Sequence, residues 1–138
     1  MGTQESRRKV EQLQRIERLR KQLHELSAWR LALVQREREK LAAAHAEMID
    51  ALGDGLMAYG PASAAGTRRV RSIEREMALA DTVEKTLESR ALADGRLAKL
   101  AEGSLDSARE AFRDQMERRS LEELIDATVA SDTASRKP

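Results

Sequence analysis

Apolar residues recur every three or four positions along the first fifty residues of the chain, which is the spacing of one face of an α-helix. The first series is Val10, Leu13, Ile16, Leu19, Leu23 and Leu26. The second series is Val34, Leu41, Ala44, Met48 and Ala51, and it lies one residue out of phase with the first. Such a shift locally rewinds a coiled coil or widens its seam. We predict one helix over about residues 4–52, with both series in its packing seam.

The apolar residues of the second half of the chain follow a stricter repeat of seven. Its a and d positions are Val70, Ile73, Met77, Ala80, Glu84, Leu87, Ala91, Asp94, Ala98, Ala101, Leu105, Ala108 and Phe112. Eleven of these thirteen positions are apolar, which is typical of a coiled coil. We predict a second helix over about residues 68–130 and a disordered polar tail over 131–138.

Between the two patterns lies the run from Gly53 to Thr67, which holds four of the seven glycines and the internal Pro61. Glycine adopts left-handed conformations freely, and proline disfavours helical geometry in the residue before it. The run therefore predicts a hinge over 53–67, with Gly53 ending the first helix and Thr67 capping the second. The predicted fold class is all-α, an antiparallel two-helix coiled-coil hairpin in which residue i faces roughly residue 120 − i.

The composition predicts a thin core, because the chain has one Trp, one Tyr and one Phe, and 36% of its residues are charged. In the predicted register Trp29 packs on the second helix near Gly95, where an indole has room opposite a glycine. Residues 1–40 carry eleven Lys and Arg against six Asp and Glu, whereas the remainder carries fourteen against eighteen. This asymmetry favours a chain that folds back on itself.

The sequence holds no catalytic constellation. Cysteine is absent, and His24 and His45 are 21 residues apart on one predicted helix, too far to share a metal ion. The run Gly55–Gly60 has the glycine spacing of a phosphate-binding loop, but Pro61 and Ala62 follow where Lys and Ser or Thr are needed. We therefore expect no catalytic residue, no cofactor site, no metal site and no enzymatic activity.

The apolar runs are too short for a membrane span, which needs about 20 residues, and the start lacks the apolar core of a signal peptide. We expect a cytoplasmic protein that is a monomer or a weak homo-oligomer. The basic run Thr67–Arg71 is a candidate nucleic-acid contact. However, the near-neutral net charge of +1 and the lack of interleaved aromatic residues argue against nucleic acid as the ligand.

The end of the second helix is the candidate binding site. In the predicted register this helix outruns the first by about ten residues, so its last apolar series faces nothing in the chain. Arginines flank the series, and others stand in the first turns of the first helix. The residues predicted to bind a protein partner are Arg7, Arg8, Arg118, Arg119, Leu121, Leu124, Ile125 and Val129. A local fold-back that buries the same series is the alternative.

The segment Met116–Asp126, MERRSLEELID, resembles the charged C-terminal segment of the FliJ/YscO stalk family of bacterial type III export. The chain length, the basic start and the longer second helix are also similar to that family. The resemblance implies a non-enzymatic stalk that enters the export ATPase ring and contacts the export gate and export chaperones. It also implies a peripheral place at the inner-membrane export apparatus.

This chain departs from common members of the family in its alanine-rich second helix and its long Gly/Ala hinge. Two other interpretations stay open. One is a self-associating coiled-coil scaffold unrelated to secretion, and the other is a basic-helix nucleic-acid binder.

Overall fold

The chain is an all-α hairpin, as its computed structural model shows, and the structure describes residues 2–54 and 61–136. Helix α1 runs over Gly2–Gly53 and helix α2 over Pro61–Ser135. The two helices pack against each other, and the described residues contain no strand. The predicted fold class is therefore confirmed. The glycines of the run Gly55–Gly60, on which the hinge prediction partly rests, lie outside the described residues.

The second helix begins at Pro61 and not at the predicted residue 68. Proline suits the first helical position, because the N–H that it lacks has no partner there and its fixed φ is already helical. Thr67 is consequently not a cap. Its hydroxyl donates to the carbonyl of Ser63 at 3.0 Å, one turn earlier, as threonines inside helices commonly do.

The same helix ends later than predicted, because α2 continues through residue 131 to Ser135. The expectation of disorder over 131–138 is wrong for the described part of that tail. Thr133 donates to the carbonyl of Val129 at 2.9 Å, and the amide of Arg136 donates to the carbonyl of Asp132 at 3.2 Å. The bond from the Arg136 amide satisfies the carbonyl of Asp132, one of the last four carbonyls of α2, which a helix otherwise leaves without intrahelical partners.

The chain divides into two compact units, and each contains parts of both helices. The terminal unit holds α1 up to Lys21 and α2 from Arg96, and the turn unit runs from Gln22 to Gly95. Hydrogen bonds join residues 3 to 119 and 6 to 115 in the terminal unit, and residues 27 to 94, 38 to 84 and 45 to 74 in the turn unit. The paired numbers add up to 119–122, so the helices are antiparallel and close to the predicted register.

The seam of α2 agrees with the heptad prediction at every position. All thirteen predicted a and d residues are buried or half-buried, including the two charged ones, Glu84 and Asp94. The buried apolar residues are Val70 and Ile73 in the turn unit and Ala98 and Leu105 in the terminal unit. Among the described residues, only Ile73 is almost fully enclosed, at 1% exposure, so the core is thin.

The seam of α1 differs from the prediction between residues 16 and 26. Ile16, Leu19, Leu23 and Leu26 are exposed, although all four were predicted to pack. The residues that replace them in the seam are Glu17, Arg20, His24 and Ser27. With these residues the seam continues from Val10 through Leu31 and Val34 to Leu41 and Met48 in one phase. The predicted phase shift therefore does not exist, and polar residues fill the positions where it was placed.

The predicted contact between Trp29 and the region of Gly95 is wrong. Trp29 is 59% exposed, and a Cβ built on Gly95 would lie 3.1 Å from His24 Cε1. The seam residue nearest to Trp29 in sequence is Ser27, whose hydroxyl donates to Asp94. Two residues correspond to about 200° around a helix, so Trp29 lies on the side of α1 that faces away from α2.

Candidate protein-binding site

The candidate site begins where α1 stops covering α2, in the terminal unit. The first turns of α1 meet α2 through two hydrogen bonds. Ser6 donates to Gln115 Oε1 at 2.7 Å, and Arg119 Nη1 donates to Thr3 Oγ1 at 3.0 Å. Every residue over 116–136 is exposed. We call residues 120–135 the overhang, because this part of α2 has no helix packed on it among the described residues.

The four apolar residues predicted as a site lie together on one face of the overhang. Leu121, Leu124, Ile125 and Val129 are 58–63% exposed and stand at positions i, i+3, i+4 and i+8 of an uninterrupted helix. This spacing produces one apolar stripe. The local fold-back that would have buried these residues is not observed. The structure places the stripe on the surface.

The overhang is also acidic. It carries Glu122, Glu123, Asp126 and Asp132 and contains no Lys or Arg. Glu123 Oε1 lies 3.6 Å from Arg119 Nε, one turn earlier. The other three carboxylates make no hydrogen bond or ion pair with the described residues through their side chains. The overhang is therefore an amphipathic helix with an apolar stripe and a net charge of −4.

The four predicted arginines take different places. Arg119 bridges the two helices, because its guanidinium contacts both Thr3 and Glu123. Arg118 is exposed three residues before Leu121 and lines a shallow groove beside Ser6. Arg7 and Arg8 are exposed on α1 and form no ion pair with the described part of the chain. The structure thus brings Arg118 and Arg119 to the start of the stripe and leaves Arg7 and Arg8 apart from it.

Polar side chains inside the seam hold the register of the turn unit. Arg38 Nη1 donates to the buried Glu84 Oε2 at 2.5 Å, and His45 Nε2 lies 3.1 Å from Glu74 Oε1. The hydrogen bond to Glu84, and then the charge of Glu84, raise the pKa of the Arg38 guanidinium. Because these polar groups are paired with each other, they are not available to bind a ligand. Within the described ranges, no three or more His, Asp or Glu side chains come together as a metal-binding group would.

A second exposed apolar surface, in the turn unit, was not predicted. Its members each stand one residue before a seam residue: on α1 before His24, Ser27, Leu31 and Val34, and on α2 before Ala80, Glu84, Leu87, Ala91 and Asp94. We call this surface the side face. It consists of Leu23, Leu26, Arg30, Leu33, Leu79, Val83, Thr86, Arg90 and Ala93, all exposed. The signal was present in the sequence, in the leucine series that was assigned to the seam.

No protein-family model, curated protein or solved structure matches this chain. The described helices also include none that is long and apolar enough to cross a membrane. The residues themselves therefore carry the functional argument.

Proposed function

We propose that this protein is a non-enzymatic helical-hairpin adaptor that binds a protein partner through the overhang. One observation carries the proposal: Leu121, Leu124, Ile125 and Val129 form a continuous apolar stripe that is 58–63% exposed. An amphipathic helix of this kind is recognised by an apolar groove, with anchors at i, i+3, i+4 and further turns. Charges beside the stripe orient the helix in the groove.

The partner that we propose is the ATPase of a bacterial type III export system, flagellar or injectisome. The support is the resemblance of Met116–Asp126 to the FliJ/YscO stalk family. In this proposal the overhang, with Arg118 and Arg119 at its base, enters the ATPase ring. The export gate and export chaperones would be further partners, and the protein would act in the cytoplasm beside the inner membrane.

The test is a pair of matched variants of the full chain. Leu124→Asp with Ile125→Asp places two carboxylates in the stripe. The control, Ala127→Asp with Ala130→Asp, places two carboxylates on the opposite side of the same helix, where both alanines are exposed. Circular dichroism first establishes that both variants keep the helix content of the wild type.

Binding to the purified export ATPase from the same genome is then measured by titration calorimetry. We expect the stripe variant to weaken binding at least about 100-fold, because burying unpaired carboxylates in an apolar groove costs several kcal/mol. The control should bind within about threefold of the wild type. Wild-type chain that does not bind the ATPase would refute the export assignment. Equal weakening by both variants would show that the stripe is not the contact.

A further inference from the structure

The side face of the turn unit has the features of a helix-binding surface. Three leucines of α1, Leu23, Leu26 and Leu33, are 38–41% exposed, and Leu79 and Val83 of α2 are 68% and 47% exposed. A shift of one residue from the seam turns a side chain by about 100° around its helix. Because the shift has the same sense on two antiparallel helices, both rows lie on the same side of the pair. Together they form a wide apolar surface between α1 and α2.

The side face is positively charged. Among the nine residues named for it, Arg30 and Arg90 are the charged ones; the next exposed positions of the same α1 row, Glu37 and Lys40, have opposite charges that cancel. Arg30 and Arg90 lie across from each other, because the hydrogen bonds of this unit pair residues whose numbers add up to 119–122. Neither arginine makes a hydrogen bond or an ion pair with the described residues. Two unneutralised arginines at the centre of an apolar surface favour an acidic amphipathic helix as the occupant.

The chain itself contains such a helix. The overhang has an exposed apolar stripe, four carboxylates and no basic residue. Its 16 residues span about 24 Å at 1.5 Å per residue, and the α2 row of the side face, from Leu79 to Ala93, spans about 21 Å. The two surfaces therefore match in charge, in apolar character and in length.

We propose that the overhang of one copy of this chain docks on the side face of a second copy. Part of the side face and the overhang belong to the same uninterrupted helix, Pro61–Ser135. Residues of one helix contact only their neighbours within about a turn, so the overhang cannot cover Val83 or Arg90 of its own helix. This inference uses the same overhang as the proposed function, but it does not depend on the export partner.

The test is an exchange of charge between the two surfaces. One variant reverses the side face, with Arg30→Glu and Arg90→Glu. The other reverses the overhang, with Glu122→Lys and Asp126→Lys, which avoids Glu123 because Glu123 contacts Arg119. All four residues are exposed, and circular dichroism checks that both variants stay folded. Sedimentation equilibrium measures the mass of each variant alone and of their equimolar mixture.

We expect the mass of the wild type to rise with concentration. Each variant alone should dissociate with a Kd at least about tenfold higher, because it faces like charges. The mixture should recover association, since each variant then meets an opposite charge. Conservative Arg30→Lys with Arg90→Lys should retain association, because both charges remain.

Three results would overturn the inference. The first is a wild type that stays monomeric up to about 1 mM chain, the weak end of specific association. The second is association of the single variants at wild-type strength, and the third is a mixture that does not recover. The outcome is separate from the export proposal. The variant Arg30→Glu with Arg90→Glu keeps its overhang and should still bind the export ATPase, whether or not copies associate.

Discussion

At the scale of single residues, two glycines of α2 differ in the space that a side chain would have. A Cβ on Gly95 would lie 3.1 Å from Cε1 and 3.3 Å from Nδ1 of His24. The same His24 Nδ1 is buried without a hydrogen-bond partner. A Cβ on Gly103 would meet no atom within 4 Å. Packing against His24 therefore explains the glycine at position 95, whereas no contact with the described residues explains the glycine at position 103.

This difference predicts the effect of two alanine substitutions. Gly103→Ala should raise the free energy of unfolding by about 1 kcal/mol, because alanine favours the helix and nothing opposes its methyl group. Gly95→Ala should gain clearly less or lose stability, because His24 must move to admit the methyl group. Urea unfolding followed by circular dichroism measures both. A gain at Gly95 as large as that at Gly103 would show that the imidazole moves without cost.

At the scale of the helices, the seam of α2 could be predicted from the sequence, whereas its two ends and part of the seam of α1 could not. The thirteen a and d positions of α2 are all in the seam, because its apolar residues fit only one phase of the seven-residue repeat. On α1 the leucine series from Ile16 to Leu26 and the polar series one residue later both fit a repeat of seven. Hydrophobicity favours the leucines. In the structure the polar series lies in the seam, with Ser27 opposite Asp94 and Arg38 opposite Glu84.

The reason lies in the partner helix. The seam of α2 contains two carboxylates, those of Glu84 and Asp94. A carboxylate that is removed from water needs a hydrogen-bond donor. The predicted leucine phase would have left Asp94 facing apolar residues. The same reason decides which exposed surfaces the sequence predicts. The register predicts the overhang, but it does not predict the side face, because the sequence pattern assigns the leucines of that face to the core.

The pair of Ser27 and Asp94 tests this explanation. Ser27→Ala should lower the free energy of unfolding by about 1–3 kcal/mol, because it leaves a half-buried carboxylate without its donor. Replacing both, Ser27→Leu with Asp94→Leu, should restore much of the loss, since an apolar pair needs no hydrogen bond. Chemical unfolding of the two variants and the wild type provides the comparison. A double variant less stable than Ser27→Ala would mean that the polar pair is not replaceable by packing.

At the scale of the whole molecule, the described residues include two exposed apolar surfaces of opposite charge. The overhang is apolar and acidic, and the side face is apolar and basic. If the overhang binds both the export ATPase and a second copy, the two occupants exclude each other. Self-association then lowers the concentration of free overhang, and the apparent affinity for the ATPase falls by the same fraction.

This competition predicts how affinity depends on concentration. At chain concentrations well above the Kd of self-association, Arg30→Glu with Arg90→Glu should bind the ATPase more tightly than the wild type, because its overhang is no longer covered. At concentrations well below that Kd the wild type and the variant should bind the ATPase equally.

Fluorescence anisotropy measures the affinity for the ATPase, with labelled chain at a fixed low level and unlabelled ATPase as the titrant. The high-concentration arm adds unlabelled Leu124→Asp with Ile125→Asp chain, whose side face is intact and whose overhang cannot compete for the ATPase. Adding this chain should weaken binding of the labelled wild type, because its side face covers the labelled overhang. The same unlabelled chain with Arg30→Glu and Arg90→Glu added has no basic side face and should leave that binding unaffected. Equal binding in the presence of either added chain would show that the ATPase and the second copy use different parts of the overhang.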